Sequence, residues 1–310
     1  MVSDRETILL YDHDSAEGSH RTLSRAIEHL TGTRPKLVDA RHFLPSGHGA
    51  LRIIDGTPRL TLGDVTLTPD AVLVYAIAPE RRPHLAAFLS TLADHGLTAD
   101  TANGWRDATE KDRTIACFAR DGVPFPDTIV LRTGDPIVAQ RAFRQLGGDV
   151  WIRPAIGMSG RGVAHATTSA QVRDAAHGFA GRTWLMSRDT GNLTARRARE
   201  SLRIVVLDGT PLWAVHHLQP DPDAPTNESA GATSTPVPVD ALPTATLAVA
   251  TAAVRSVGLR FGGVDLAPAD NLVFEVNAHP LLLPDRHLHP VAIPWAKAHL
   301  TPALSPAPLP

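Results

Sequence analysis

The sequence predicts an α/β protein built from more than one subdomain, and three observations carry that reading. An apolar strand followed by an amphipathic helix opens the chain, a glycine-rich loop at residues 157–162 joins two strands, and two apolar strands near residue 270 carry carboxylates among their hydrophobic positions. The length agrees, because 310 residues exceed what one hydrophobic core usually organises, so two or three subdomains with a cleft are expected.

Residues 7–11 form the opening strand. Residues 19–30 then repeat apolar side chains at helical spacing (Leu23, Ile27, Leu30), and Gly32 suits a left-handed cap. Residues 50–69 alternate apolar and polar around Asp55-Gly56 and Gly63-Asp64, which predicts a small antiparallel excursion. A strand at 71–75 and a helix at 85–92 complete an open α/β unit. A helix at 107–120 places Ile115, Phe118 and Ala119 on one face and stops at Gly122, after which Pro124 and Pro126 force extended chain. A strand follows at 128–131, then Asp135 as N-cap with Pro136 in the first position of a helix that ends at Gly147-Gly148.

Strands at 150–153 and 163–166 flank the glycine loop, and the next helix starts near Ser169. In dinucleotide folds and phosphate loops the glycines run straight into a helix; glycines between two strands suit instead a flap that offers backbone N–H groups from above a nucleotide. Residues 202–207 and 211–218 form an apolar hairpin about Asp208-Gly209. Residues 219–240 are rich in Pro, Asp, Thr, Ser and Gly without periodicity and read as a long mobile loop. A helix from about Asp240 carries Leu247, Ala250, Val254 and Val257 on one face and stops at Gly258, and residues 301–310 read as a frayed proline-rich tail.

Composition removes several function classes. No apolar run approaches the roughly 18 residues of a membrane span, and 30 basic against 32 acidic side chains leave a net charge of -2, without the positive field of a nucleic-acid binder. The single cysteine, Cys117, excludes an intrachain disulfide and suits a reducing compartment, and the N-terminal segment lacks the features of a signal peptide, so the expected location is cytoplasmic. The 15 histidines lack companion thiolates or an HExxH spacing, which argues against zinc.

The strongest chemical constellation is Gly262-Gly263-Val264-Asp265-Leu266, a turn, and Val273-Phe274-Glu275-Val276-Asn277. Strand alternation sends Glu275 and Asn277 the same way, and the turn folds Asp265 back to join them. Two carboxylates and an amide oxygen suit Mg²⁺, and unpaired carboxylates inside apolar strands would otherwise be costly.

With those residues assembled, the chain resembles the ATP-grasp superfamily, most closely its RimK-like and glutathione-synthetase-like branch of carboxylate–amine ligases. Glu110-Lys111 with Gly122-Val123-Pro124-Phe125-Pro126, Trp151-Ile152-Arg153-Pro154 before the glycine loop, Leu202-Arg203-Ile204-Val205-Val206, and Phe274-Glu275-Val276-Asn277-Ala278-His279-Pro280 occur in the family's order. The resemblance implies an ATP-grasp fold with an N-terminal open α/β domain (1–103), a central lid subdomain (104–185) and a C-terminal antiparallel-sheet subdomain (186–310), with ATP between the last two. It implies that Lys111 and Arg153 contact nucleotide phosphates, Arg153 standing where the family usually has lysine. Ser159, Gly160, Arg161 and Gly162 would cover the triphosphate, and Trp184, Leu185 and Met186 would form the nucleotide hinge. Asn227 would belong to the substrate-side loop, Arg203 and Asn277 would act in catalysis, and Asp265, Glu275 and Asn277 would hold two Mg²⁺ ions, with Mn²⁺ as a substitute. Ser201 replaces an acid common in the family, and Ala230 an arginine.

The expected activity is ATP-dependent joining of a carboxylate to an amine through an acyl phosphate, on an amino acid or small peptide. An intramolecular cyclisation of a metabolite or ribosomal peptide, and a degenerate ATP-binding module, are the alternatives. A homodimer is a further expectation. Residues 219–240 and 279–289 are expected to line the substrate pocket, with His279 and His287 as candidate bases or ordinary loop residues.

Overall fold

The computed structural model describes residues 6–14, 18–99 and 102–300, so the tail expected at 301–310 lies outside the described residues. Two compact units divide the chain. One comprises the described residues of Met1–Trp105 and His279–Pro310, the other Arg106–Ala278.

The first unit begins with β1 (Glu6–Tyr11) and α1 (Ser19–Thr31), whose Leu23, Ala26 and Ile27 are buried. Gly32, at φ 76°, ends the helix with its N–H donated to the Glu28 carbonyl, a conformation that a side chain would strain. After β2 (Lys36–Asp39), the expected excursion appears as β3 (Gly49–Ile54), β4 (Thr57–Leu62) and β5 (Val65–Leu67) in one antiparallel sheet. β6 (Pro69–Tyr75) then joins a parallel sheet of order β2-β1-β6, followed by α2 (Ala86–Asp94). Ile8, Leu9 and Leu10 are buried consecutively, as strands of parallel sheets require.

Residues 279–300 return to this unit, which corrects the boundary that placed all of 186–310 in one subdomain. The cause is packing: Leu282 N–H donates to Ser19 Oγ at 3.1 Å, Thr22 Oγ1 donates to the Leu282 carbonyl at 2.7 Å, and Trp295 meets Tyr75 edge-on at 5.2 Å. His279 is enclosed here by Tyr75 and Trp105, at 4.8 and 4.9 Å between ring centroids.

Two helices, α3 (Ala102–Thr109), which begins in the first unit and ends in the second, and α4 (Lys111–Asp121), in the second, replace the single helix expected over 107–120. The helix breaks at Glu110 because Lys111 N–H donates to the Ala155 carbonyl at 2.9 Å and the Asp107 carbonyl accepts Thr114 Oγ1 instead. β7 (Thr128–Leu131), α5 (Pro136–Gln145), β8 (Val150–Pro154), β9 (Ala164–Ala166), α6 (Ser169–Gly178) and β10 (Trp184–Arg188) follow. Asp135 caps α5 as expected, accepting the Ile137 N–H. The strands form an antiparallel sheet of order β7-β10-β8-β9, packed through Ile152, Trp184 and Met186 onto Phe143, Val172 and Phe179.

β11 (Arg199–Leu207), β12 (Thr210–Gln219), β13 (Thr233–Val237), α7 (Thr244–Ser256), β14 (Phe261–Leu266) and β15 (Val273–Asn277) complete the unit. Their sheet is wholly antiparallel, in the order β13-β12-β11-β14-β15. Leu202, Ile204, Val206, Val264 and Val276 of one face share a core with Ala250, Ala253 and Val254 of α7. The 219–240 segment is not one unstructured loop, since β13 pairs with β12 inside it. An exposed edge strand carrying Thr233, Ser234 and Pro236 has little apolar alternation to betray it. α7 starts at Thr244, beyond Pro243, rather than at Asp240.

Candidate active site

The face of the five-stranded sheet opposite α7 presents a transverse row of charge. Arg203 on β11 is in register with Asp265 on β14, and Asp265 is in register with Glu275 on β15. Because alternate side chains of a strand leave on opposite faces, the apolar neighbours Leu202, Ile204, Val264 and Leu266 go to the core while these three face away from it. A register shift between Asp265 and Leu266 adds one residue to β15, and both Phe274 and Glu275 then line the same cavity.

Arg203 forms a fork-to-fork pair with Asp265, at 2.6 Å from Nε to Oδ1 and 2.7 Å from Nη2 to Oδ2. Asn277 donates from Nδ2 to Asp265 Oδ2 at 3.1 Å. Lys111 Nζ approaches Glu275 Oε2 at 3.3 Å and the Gly157 carbonyl at 3.4 Å. Arg153, on β8, is buried and donates from Nη1 to the Phe274 carbonyl at 2.8 Å, while its Nε has no partner. Burial lowers the Arg153 guanidinium's affinity for its proton. Burial alone would raise the Glu275 carboxyl, but Lys111, Arg153 and Arg203 overcome it and hold the group well below the usual carboxylate range.

Lys111, Arg153, Arg203, Asp265 and Glu275 line one cavity of about 140 Å³. The glycine loop borders it, with Ser159 (φ 56°), Gly160 (φ 71°) and Gly162 (φ 74°) in left-handed backbone. Ser229 Oγ donates to the Ser159 carbonyl at 3.1 Å, and a Cβ on Gly160 would stand 2.7 Å from Asn227 Oδ1, so the loop rests on the 225–231 segment with no space to spare.

Nine sequence-predicted residues therefore meet at the cavity: Lys111, Arg153, Ser159, Gly160, Arg161, Arg203, Asn227, Asp265 and Glu275. Asn277 and Gly162 are outside the lining, Asn277 reaching the row through Asp265. Trp184, Leu185 and Met186 do not line it; their side chains are wholly buried in the cores, and β10 faces the cavity with Ser187 and Arg188 instead. His279 and His287 belong to the first unit and are not among the residues lining this cavity. His279 accepts the Ile77 N–H, and burial takes its pKa well below the ordinary imidazole value.

Trp151, Arg199, His217 and Thr226 are among the lining residues to which the sequence reading gave no role. Arg199, Ser201 and Arg203 alternate along β11, a period-two signal that places them on one face. Buried Arg199 donates to Asp189 Oδ1 and Asn192 Oδ1, each at 2.7 Å, and lies 4.8 Å above the Trp151 ring. Asp149, His165 and Asp189 bring ligand-type atoms within 4.8 Å of one another. Those atoms already bond within the chain: His165 spans Asp149 and Asp223 at 2.6 and 2.7 Å, and Trp151 donates to Asp189 at 2.7 Å.

The donor chemistry of the charged row fits a hard divalent cation, with two carboxylates in register and an amide whose Oδ1 adds a third oxygen. Arg203 and Lys111 engage the carboxylates in this structure. Among the described residues, no helix is long and apolar enough to cross a membrane.

No family model matches the sequence, and no curated protein matches it. Solved structures match it over almost its whole length. The ATP-grasp ligase PsnB, complexed with a minimal precursor, has a TM-score of 0.63 at 18% identity, covering 95% of this chain and 98% of that one. The macrocyclase MdnC of Microcystis aeruginosa MRC, bound with its precursor peptide MdnA, has a TM-score of 0.65 at 13% identity, covering 96% and 100%. The D-cycloserine synthetase DcsG has a TM-score of 0.61 at 18% identity, covering 94% and 97%. These likenesses bear out the fold expected from the motifs.

Proposed function

We propose that this chain, which has the ATP-grasp fold, is an ATP-dependent ligase that activates a carboxylate as an acyl phosphate and passes it to an amine. The observation that carries the reading is the convergence of Asp265 and Glu275 with Lys111, Arg153 and Arg203 beneath a glycine loop in one cavity. The 104–185 and 186–278 segments are the two subdomains between which ATP would lie, and the cytoplasm, where Cys117 stays reduced, is the proposed compartment. A similar structure of PsnB is complexed with Mg and ADP.

Magnesium, when bound, neutralises phosphate oxygens and makes the terminal phosphorus a better electrophile. Asp265, Glu275 and Asn277 would hold it. For their oxygens to reach a cation, Arg203 must release part of its fork and Lys111 must turn from Glu275, and both cations then point toward phosphate. Arg153, with Nε unpartnered, supplies a fixed positive charge that needs no reorganisation. Glycine-loop closure excludes water, which would otherwise hydrolyse the activated carboxylate. Positioning and electrostatics supply the rate, with no side-chain nucleophile.

Two similar structures, PsnB and MdnC, are complexed with precursor peptides, which favours peptide cyclisation as a second reading. One experiment separates the readings: ADP and phosphate release with ATP and Mg²⁺ against amino acids, dipeptides and precursor-like peptides, with products weighed. An intermolecular amide joins two masses less one water, and a macrocycle is one peptide less water. Nucleotide binding without turnover for any of them supports a binding module instead.

A further inference from the structure

Besides Arg153 Nε, a second buried polar atom of the cavity lining has no hydrogen-bond partner. His217 lies on β12 directly across from Ser201, and its Nδ1 is 2.7 Å from Ser234 Oγ on β13. Its Nε2 is buried without a hydrogen bond, although the residue lines the cavity and is 8% exposed. A buried imidazole nitrogen is costly to leave unmade, so the site is complete only with a ligand atom there. The cross-strand hydroxyl does not supply it, since Ser201 Oγ bonds Thr226 Oγ1 at 2.7 Å.

The location says which ligand atom. Ser201 and Arg203 are on the same face of β11, so His217 is the diagonal cross-strand neighbour of the arginine that grips Asp265. Burial, reinforced by Arg203 and opposed by Asp265, disfavours the charged ring. A neutral imidazole carries one N–H, and when Ser234 Oγ donates to Nδ1, that hydrogen sits on Nε2. We propose that His217 Nε2 donates a hydrogen bond to the phosphoryl group as it passes from ATP to the substrate carboxylate. In that step a carboxylate oxygen forms the new bond to phosphorus, the bond from the terminal phosphorus to the bridging oxygen breaks with its electrons kept by ADP, and His217 retains its proton. The assignment rests on the ATP-dependent reading and adds to it a neutral donor on a different strand from the charged contacts.

The test is calorimetric binding of Mg·ADP, with and without aluminium fluoride as phosphoryl mimic, to the full chain and to His217→Ala and His217→Gln. Mg·ADP should bind all three within about twofold, whereas the fluoroaluminate complex should weaken about tenfold in the alanine variant and largely recover with glutamine, whose amide N–H takes the place of Nε2. Equal fluoroaluminate binding by wild type and alanine variant, no recovery with glutamine, or no gain from fluoroaluminate in wild type overturns the proposal. Absence of Mg·ADP binding to wild type overturns the ATP-dependent reading and this one with it. Should His217→Ala fail to fold, His217→Phe decides: it keeps a ring on the strand but carries no donor, and unchanged fluoroaluminate binding in it overturns the proposal.

Discussion

Arg203 and Asp265 face each other in register on adjacent antiparallel strands and close a two-point ion pair at 2.6 and 2.7 Å. In that state the arginine satisfies the carboxylate that the proposed metal needs, so pair and metal compete for the same oxygens. Asp265→Asn should keep the fold, because Asn can still accept from Arg203, yet lose Mg²⁺-dependent ADP release by about 10²–10³-fold, in the range for removing one preorganised electrostatic group. Arg203→Lys, which cannot reproduce the planar fork, should lose turnover to a similar extent with ATP affinity little changed. Steady-state ADP release and far-ultraviolet circular dichroism check both. Full activity in Asp265→Asn would remove this residue from the metal site.

Gly160 tests the flap. Its φ of 71° favours glycine, and an added Cβ would lie 2.7 Å from Asn227 Oδ1. Gly160→Ala should therefore lift the loop off the 225–231 segment, with about 1 kcal/mol of backbone strain added to the clash. The exposed Arg161 makes this visible: trypsin should cut after it several-fold faster in the variant, and ATP with Mg²⁺ should slow the cut less than in wild type. Asn227→Ala in the same chain should relieve the clash but not the strain, recovering part of the protection.

Asp265 and Glu275 were legible because strand alternation and a short turn suffice to aim those side chains, and Gly262-Gly263 marked where the chain packs closely, whereas Arg203 was named only through the family resemblance. What escaped depended on departures from regular register. Counting outward from the Leu207–Thr210 pair at the hairpin turn would set Ser201 opposite His216, but a shift at Val205/Val206 sets it opposite His217. One residue of slip exchanges the two faces of a strand, so a sequence reading would have given the cavity the wrong histidine. The side-chain directions at the expected hinge were not legible for a related reason: Trp184, Leu185 and Met186 all send their side chains into the cores, and the cavity-facing side chains of β10 begin only at Ser187. The helix break at Glu110 rests on a hydrogen bond from Lys111 to Ala155, a long-range partner that local propensity does not encode.

Asp189 links the cavity wall to stability. Burial opposes its ionisation, but hydrogen bonds from Trp151, Arg199 and the Gly191 N–H prevail and keep its pKa below the ordinary value. A depressed folded-state pKa contributes stability that is fully present above the unfolded value, about 3.9, and is lost as pH falls through the folded value. Asp189→Asn should then destabilise the protein by about 2–3 kcal/mol near neutral pH, because Arg199 is left buried with its charge uncompensated. The gap between wild type and variant, measured by urea unfolding from pH 7 to pH 3, should narrow at the acid end. A gap that stays constant would assign the effect to packing alone.

Glu275→Gln separates nucleotide attraction from catalysis. The carboxylate is held ionised by Lys111, Arg153 and Arg203, so replacing it removes one negative charge from a site that keeps three positive ones. Nucleotide binding without Mg²⁺ should be retained or strengthened, since the phosphates no longer compete with Glu275 for Lys111, whose Nζ stands 3.3 Å from it. Mg²⁺ should add little further affinity, and ADP release should fall by at least about 10²-fold because the developing charge loses its counter-cation. ATP titrations with and without Mg²⁺, alongside turnover, give both quantities in one protein. A loss of Mg²⁺-free binding in this variant would mean that Glu275 serves to position Lys111 rather than to hold a metal, and the metal site would have to be sought among Asp265 and Asn277 alone.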